Sequence, residues 1–196
     1  DTTPGVYWEL DGAGNLVLSA INGREGTLRS FGTDAQTSMP PWASCNTNIR
    51  TFRVAANTTI KLQNEGTYSN MFSECRYLTS ADFTGMDMSG HPTSFYHMFY
   101  NCLALQNVNL SNFDTYLCQN LEGMFQGCYM LENVKFPADS FNTIRVTDMS
   151  GMFEGCYKLA TIDLSSFNNP GVNNQTNAEL PITFTAQAMF KDCKSL

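Results

Sequence analysis

The sequence predicts an α/β solenoid of about five stacked coils, each with one short strand and one short helical turn, preceded by a small β-hairpin cap. Three observations predict this fold: the phrase Met-Phe-x-x-Cys-x-x-Leu occurs five times, apolar residues spaced by two accompany it, and the first 48 residues lack it. A nearly constant period above about 20 residues is typical of repeats that each form one coil and bury their apolar residues by stacking. The intervals are 27, 26, 28 and 37 residues between Met71, Met98, Met124, Met152 and Met189.

The phenylalanine and the cysteine of the phrase are the predicted core of each coil. With the methionine and the leucine they occupy positions i, i+1, i+4 and i+7, which lie on one face of a short helical turn. We expect each phenylalanine ring to stack on that of the neighbouring coil. We expect the cysteines to be buried free thiols, because unpaired cysteine is among the most buried residue types. The ten core residues are Phe72, Cys75, Phe99, Cys102, Phe125, Cys128, Phe153, Cys156, Phe190 and Cys193.

The cysteine pattern argues against a metal site. Structural zinc sites use pairs of cysteines at Cys-x-x-Cys spacing, and the seven cysteines of this chain include no such pair. Cys45 and Cys118 fall outside the repeat register, and an odd total leaves at least one thiol free. The aspartates do not form the pattern of a calcium loop, so calcium is left open without support from the sequence. The sequence therefore predicts no metal and no cofactor.

Each phrase is accompanied by a predicted strand with two inward apolar residues. In the last four units the pattern Leu-x-x-apolar-x-apolar is that of a leucine-rich-repeat strand, in which alternation places both apolar side chains on one face. The inward pairs are Phe52/Val54, Ala81/Phe83, Val108/Leu110, Val134/Phe136 and Ile162/Leu164.

The residue between the two apolar positions points outward and is the candidate protein-binding position. The stripe mixes charges and has no aromatic anchor, so a plain solvent-exposed face is the alternative. Tyr129 and Tyr157 follow the repeat cysteine in matching positions, and with Tyr77, one residue further on, they are a second candidate patch. The candidate stripe across adjacent coils consists of Arg53, Asp82, Asn109, Lys135 and Asp163.

Residues 1–48 are predicted as an N-terminal β cap, and residues 49–196 as the solenoid. Two strand-like runs, 6–10 and 16–20, flank a turn rich in Gly, Asp and Asn, which is typical of a β-hairpin. Such a cap covers the apolar surface and the strand edge that an open solenoid end exposes. Trp8 and Trp42 are interpreted as core of this cap rather than as platforms for sugars.

The last repeat has two unusual features. Its longer interval contains residues 168–177, a stretch rich in Asn that we interpret as a surface loop, and such loops often carry binding in solenoids. The sequence also stops at Leu196 in the middle of a unit. We therefore expect the solenoid to be truncated at its C-terminal end and the chain to be a piece of a longer protein.

Composition and charge exclude several classes of function. The net charge is −7 without a basic cluster, which argues against nucleic acid or an anionic membrane as partner. No apolar run is long enough for a transmembrane segment. The two histidines, His91 and His97, lack the partner pattern of a catalytic triad and are interpreted as surface or corner residues. No nucleotide-binding or metalloprotease motif is present, so the sequence does not predict an enzyme.

The repeats resemble one string, Leu-x-x-Leu-Asp-Leu-Ser-x-Phe-Asp-Thr-x-x-Val-x-x-Met-x-x-Met-Phe-x-x-Cys. Residues 109–115, 146–153 and 163–167 match parts of it, while 54–71 and the Asn-rich stretch depart from it. This string is that of the BspA-like leucine-rich-repeat surface proteins of bacteria, in their 26-residue branch. Residues 8–16 and 41–42 resemble the β cap that precedes such repeats.

The resemblance implies a bacterial protein that is extracellular or attached to the cell surface, with no catalysis and no cofactor. Its partner would be an extracellular or host protein, and a lipid anchor outside this sequence is left open. The main hypothesis is an adhesion-type module that binds proteins through the strand face of the solenoid. The alternative is a glycan-binding or purely structural spacer module of a larger surface protein.

Overall fold

Nine strands and one 3₁₀ helix form in the residues that the computed structural model describes, which are 5–34, 36–137, 141–167 and 185–196. Coils 1 to 5 are the repeats that contain Met71, Met98, Met124, Met152 and Met189. The elements are β1 Val6–Leu10, β2 Asn15–Ala20, β3 Glu25–Leu28, the 3₁₀ helix Ala43–Asn48, β4 Thr51–Val54, β5 Thr59–Leu62, β6 Ser80–Ala81, β7 Met86–Asp87, β8 Asn107–Asn109 and β9 Asn133–Lys135.

Six strands form one sheet along the stack of coils, in the order β1-β2-β4-β6-β8-β9. β1 and β2 pair antiparallel, so the predicted hairpin is present. All other neighbours in this sheet are parallel, because β4, β6, β8 and β9 come from successive coils and β2 of the hairpin runs in the same direction beside β4. Leu16 on β2 lies opposite Phe52 on β4. The hairpin is therefore continuous with the strands of the coils.

The sequence analysis does not predict the second sheet, in which β3, β5 and β7 are parallel neighbours. Its middle strand lies in the segment 54–71 that departs from the repeat string. There Ile60 and Leu62 are buried while Lys61 is exposed, and the Lys61 ammonium lies 3.2 Å from the carboxylate of Glu25 on β3. This alternation is a strand pattern of its own that contains no part of the repeat phrase.

The predicted helical turn at each phrase is not found, and overlapping β-turns take its place. In the described residues the one helix is the 3₁₀ helix Ala43–Asn48. In coil 2 the amides of Met98, Tyr100 and Cys102 each donate to the carbonyl three residues earlier. However, φ is positive at His97 and Asn101. Right-handed helices require negative φ throughout, so these two residues prevent a helix from forming.

The same two positions have positive φ in every coil: the residue before the methionine and the residue before the cysteine. Coils 3 and 4 place glycine at both positions, and glycine adopts positive φ without steric cost. The ten residues are Asn70, Glu74, His97, Asn101, Gly123, Gly127, Gly151, Gly155, Ala188 and Asp192.

Alternate amides of each turn segment donate to carbonyls of the next coil. Between coils 2 and 3 the donors are the amides of Phe95, His97, Phe99 and Asn101, at 2.8–3.0 Å. The other three coil interfaces contain four corresponding bonds each. A helix would use these amides internally, whereas here they satisfy the backbone of the neighbouring coil. The turn conformation therefore joins each coil to the next, in addition to the strand pairing of the six-stranded sheet.

The predicted stacking of the phrase phenylalanines is confirmed. Neighbouring rings have centroids 5.3–5.5 Å apart and interplanar angles of 1–17°. Burial of one such ring contributes roughly 1.5–3 kcal/mol. The first four rings are fully buried and the last is half-buried. The column consists of Phe72, Phe99, Phe125, Phe153 and Phe190.

The cysteines of the phrase are unpaired, as predicted, and four of their five thiols also form hydrogen bonds. Four are fully buried, and Cys193 is half-buried. The thiol of Cys102 donates to the carbonyl oxygen of Phe72 in the preceding coil at 3.1 Å. Cys128, Cys156 and Cys193 make the corresponding bond at 3.1–3.2 Å. The cysteine therefore fills a small apolar space and also satisfies a backbone acceptor.

Residues of the cap region satisfy carbonyls at the start of the stack. Trp42 is fully buried, as predicted for cap core, and its ring lies 6.4 Å from that of Phe72 at 28°, where a preceding phenylalanine would stack. Trp8 is half-buried and packs edge-on against Trp42. Three bonds run from Phe31 N to Thr67 O at 3.1 Å, from Trp42 Nε1 to Met71 O at 2.8 Å and from Asn46 Nδ2 to Ser73 O at 3.3 Å.

The strand predicted at Ile162 and Leu164 does not form. Both side chains are half-buried, but the described residues 160–164 make no backbone hydrogen bond to β9. In this structure the segment would be an edge strand bonded on one side only, so fewer ladder bonds would hold it extended. The predicted surface loop at 168–177 lies outside the described residues.

Candidate functional site

The candidate stripe lies on the outward face of the six-stranded sheet. The register places Phe52 opposite Ala81, and Ala81 opposite Val108, so the residues that follow them are neighbours on adjacent strands. Asn109 lies directly opposite Lys135. All five predicted residues are exposed. Three of them lie on strands, Asp82 directly follows the end of β6, and Asp163 lies farther along the chain, outside any strand. The first four form one line: Arg53, Asp82, Asn109 and Lys135.

A groove of about 730 Å³ opens on this face across β6, β8 and β9. Its lining includes Phe136 and Pro137, which the sequence analysis does not predict as site residues. Pro137 occupies the position that Ser111 holds in the preceding unit. This replacement of a polar residue by an apolar one is the feature of the sequence from which Pro137 could have been predicted as a site residue. Arg53 does not line the groove. The four predicted residues that do are Asp82, Asn109, Lys135 and Asp163.

Side-chain oxygens of three stripe residues accept backbone amides two residues later. These are Asx turns, and they hold each side chain in a fixed orientation. Hydrogen bonds from the Ser165 hydroxyl and amide lower the pKa of Asp163, so its carboxylate is charged at neutral pH. The bonds run from Thr84 N to Asp82 Oδ1 at 2.9 Å, from Ser111 N to Asn109 Oδ1 at 3.0 Å and from Ser165 N to Asp163 Oδ1 at 2.8 Å.

The four charged residues of the stripe form no ion pair with the described part of the chain. Arg53 instead donates weakly to the carbonyl of Val54, at 3.5 Å. Ion pairs elsewhere, such as Lys191 with Glu154, lie away from this face. The charges of the stripe are therefore available to a partner from outside the chain.

The sheet register extends the line of stripe residues into the hairpin. Glu9 on β1 lies opposite Val17 on β2, and Val17 lies opposite Arg53 on β4. Glu9 is exposed and Val17 is half-buried. The sequence analysis misses both because it treats the hairpin as a separate cap. We call the complete line the outward row: Glu9, Val17, Arg53, Asp82, Asn109 and Lys135.

The second candidate patch brings two of its three tyrosines together. The rings of Tyr129 and Tyr157 stack with centroids 4.9 Å apart and an angle of 5°. The ammonium of Lys194 lies 4.8 Å from the centroid of Tyr157. Tyr77 is separate, with the guanidinium of Arg50 over its ring at 4.8 Å. Because these contacts occupy ring faces, the tyrosines are poorly arranged for stacking on a sugar.

His97 is more buried than a plain surface residue. Its imidazole stacks between Tyr96 and Tyr100, with centroid distances of 3.9 and 4.3 Å. Burial lowers the pKa of His97 to about 4, so the ring is neutral at pH 7. His91 Nδ1 lies 2.8 Å from a carboxylate oxygen of Asp114. The described contacts of both histidines are therefore with neighbouring side chains of the fold, two tyrosines for His97 and Asp114 for His91.

No group of three or more His, Cys, Asp and Glu side chains in the described residues is arranged to hold a metal ion. Burial raises the pKa of the Cys75 and Cys118 thiols to about 12. A thiol ligates metals as the thiolate, so these two are poor ligands at neutral pH. In the same described residues, no helix is both long enough and apolar enough to span a membrane.

Successive coils that each add one rung to the same backbone ladder define a repeat solenoid. Residues 66–196 match the family described as "Mycoplasma protein of unknown function, DUF285", and the chain belongs to this family. No curated protein matches the chain.

Two solved structures are similar to the chain at low identity. One is a leucine rich cell surface protein from Faecalibacterium prausnitzii, with 16% identity and a TM-score of 0.36 over 88% of this chain and 57% of that one. The other is the leucine rich repeat protein of T. pallidum, with 12% identity and a TM-score of 0.33 over 80% of this chain and 78% of that one. The chain thus spans little more than half of the F. prausnitzii protein.

Proposed function

We propose that the chain is a non-enzymatic, adhesion-type protein-interaction module that binds a protein ligand through its strand face. One observation carries the proposal: the groove of about 730 Å³ is lined by four residues of the predicted stripe. Asn109 and Lys135 lie on strands of the six-stranded sheet and Asp82 directly follows β6, while Asp163 lies beside the sheet without being part of a strand. Their charges have no ion partner in the described chain, and Asx turns fix two of the carboxylates. Groups held in place before binding lose less entropy when a partner arrives.

The proposed location is the cell surface of a bacterium or its surroundings, as part of a larger protein. The likeness of the repeats to BspA-like surface proteins supports this location, and the partner would be an extracellular or host protein. A lipid anchor outside this sequence would serve for attachment. Within the chain, residues 1–48 are proposed as the cap and residues 49–196 as the binding solenoid.

The alternative function is a glycan-binding or purely structural spacer module. The glycan version would need exposed aromatic faces, and the contacts of Tyr129 with Tyr157 and of Tyr157 with Lys194 argue against it. The spacer version is favoured by the four backbone bonds that recur at each coil interface. A spacer would have no ligand on the strand face.

A binding screen against arrayed extracellular-matrix proteins and glycans tests these functions. The matched variant is Asp82→Asn with Lys135→Gln, which removes two charges while the asparagine retains the Asx turn. The control is Glu25→Gln with Lys61→Gln, which removes an ion pair from the second sheet. We expect a protein hit that weakens roughly tenfold in the stripe variant only. A glycan hit would support the glycan version, and a negative result from folded protein would support the spacer.

A further inference from the structure

We propose that the outward row is a self-association surface, which pairs with the same row of a second copy of the chain about a two-fold axis. The inference rests on the proposed use of the strand face for protein contact, and it names the partner. It is carried by the order of charges along the row and by the register of the sheet.

The charges of the outward row repeat with a period of three strands. From β1 to β9 the row reads acidic, neutral, basic, acidic, neutral, basic. Read in the opposite direction it is basic, neutral, acidic, basic, neutral, acidic. Every acidic position of one row therefore falls on a basic position of the reversed row. With about 4.8 Å between strands, equal spacing in both copies keeps all six positions in step.

A two-fold axis produces this reversal when two such sheets meet face to face. The axis runs parallel to the strands, between Arg53 and Asp82. It keeps the strand direction and reverses the strand order, so the row of one copy lies on the row of the other. Each pair then occurs twice, as in any isologous interface. The pairs join Arg53 to Asp82, Glu9 to Lys135 and Val17 to Asn109 of the second copy.

The rows on either side of the outward row fit the same arrangement. Tyr7, two residues from Glu9, is 49% exposed and would face the part of the groove that is lined by Phe136, which is half-buried, and by Pro137, which is buried in its own chain. An exposed aromatic side chain over an apolar wall is typical of an interface anchor. The row on the other side carries one charge, that of Asp11 beside Asn15 at the hairpin end, which would face the uncharged Asn133 of the second copy. The remaining members of this row are uncharged polar residues: Asn15, Thr51, Ser80, Asn107 and Asn133.

The strength of the association follows from the kind of contacts. Six strands about 4.8 Å apart and three residue rows about 7 Å apart make a face of roughly 24 by 14 Å, which is smaller than the roughly 800 Å² per partner of a standard stable interface. Exposed charge pairs are also screened by salt. We therefore expect a weak dimer that forms at high protein concentration and dissociates as salt is added. Arg53 and Asp82 of one copy form no ion pair with each other, so both charges remain available to pair with the second copy.

Sedimentation equilibrium of the whole chain, from micromolar to near-millimolar concentration at low and high salt, tests the proposal. Asp82→Arg places like charges at Arg53 of the second copy, and Arg53→Glu does so at Asp82. Each variant should weaken self-association by roughly tenfold or more. Mixed together, the two variants should form a heterodimer, because every pair of charged residues again joins opposite charges. The double variant R53E/D82R should self-associate like the wild type.

The controls separate this geometry from a general effect of charge. Glu65→Arg makes the same change in net charge as Asp82→Arg but lies after β5, away from the row, and should leave association unchanged. If Asp82→Arg fails to fold by circular dichroism, Asp82→Asn keeps the Asx turn and should weaken the dimer less. If adding Lys135→Glu to Asp82→Arg restores self-association, and adding Arg53→Glu to Asp82→Arg does not, the proposed register is wrong.

A chain that stays monomeric under all conditions overturns the self-association. That result leaves the proposed function to the ligand screen, in which a monomer can still bind a protein through the groove. Conversely, a dimer with the expected charge dependence and no ligand in the screen would support the self-association and count against a foreign protein partner.

Discussion

The indole nitrogen of Trp42 donates a 2.8 Å hydrogen bond to the carbonyl oxygen of Met71, where the backbone of a preceding coil would donate. The same ring stacks on Phe72, where a preceding phenylalanine would lie. One side chain therefore supplies two of the contacts that a further coil would make, one hydrogen bond to a backbone carbonyl and the stacking of a ring. The first coil of the stack is therefore covered by a buried tryptophan and does not present an open surface there.

We expect Trp42→Phe to lower the free energy of unfolding by about 1–3 kcal/mol, because the carbonyl of Met71 loses its donor while an aromatic ring remains. Trp42→Ala should cost about 3–5 kcal/mol. Urea unfolding measures both. The control is Trp8→Phe, at a half-buried ring whose nitrogen has no hydrogen bond in the described structure. Equal unfolding midpoints for Trp42→Phe and Trp8→Phe would contradict the role of the bond.

Alanine substitutions at Gly127 and Gly155 separate the free-energy cost of a positive φ from the cost of steric crowding, since both glycines have a φ of 76°. A β-carbon at Gly155 meets Tyr129 at an ordinary 3.5 Å, whereas at Gly127 it collides with Oδ1 of Asn101. Asn101 cannot easily move, because its Nδ2 donates to Glu74 at 2.8 Å. We expect Gly155→Ala to cost about 1–2 kcal/mol and Gly127→Ala clearly more, by urea unfolding. Equal costs would show that the clash relaxes.

The buried thiols should make stability fall at alkaline pH. Burial raises the pKa of the Cys75 and Cys118 thiols to about 12 in the folded chain, against about 8.5 when unfolded. The stabilisation is complete below the unfolded pKa and is lost as pH rises toward the folded pKa, because the unfolded chain releases the protons first. Urea unfolding from about pH 8.5 to pH 10 should show this decline, with a shallower slope for Cys118→Ala. A flat profile would contradict thiol burial.

His97 should contribute a loss of stability at acidic pH. Burial lowers its pKa to about 4 in the folded chain, against about 6.5 when unfolded. Its contribution is complete above the unfolded pKa and disappears as pH falls through the folded pKa, because the unfolded chain binds the proton first. His97→Gln should therefore reduce the loss of stability between about pH 6.5 and pH 4. His91→Gln is the control, and a decline that is the same in both variants would exclude His97 as a source.

The features that could be predicted from the sequence are those that the repeat period controls. The phenylalanine column and the buried thiols follow from side chains that recur at one position, because stacking puts equal positions in contact. The alternation in each unit also places Asp82, Asn109 and Lys135 on one outward face. The positions of these three groove residues therefore follow directly from the repeat register.

The helical turn could not be predicted correctly because apolar spacing does not report the sign of φ. Met124, Phe125, Cys128 and Leu131 have the spacing of a helical face, yet the same spacing arises from overlapping turns. The glycines before Met124 and Cys128 are the signal that the apolar pattern leaves out.

The place of Glu9 in the outward row could not be predicted, because it depends on pairing between β2 and β4, which joins residues far apart in the chain.

The four backbone bonds at each coil interface also determine how the protein would respond to force. These bonds point along the stack, so tension applied between the two ends would load the terminal interfaces and peel coils away in turn. Each regular coil contains 26–28 residues and would add about 90 Å of extended chain when released. A molecule held under load would therefore lengthen in even steps while the remaining coils stay intact.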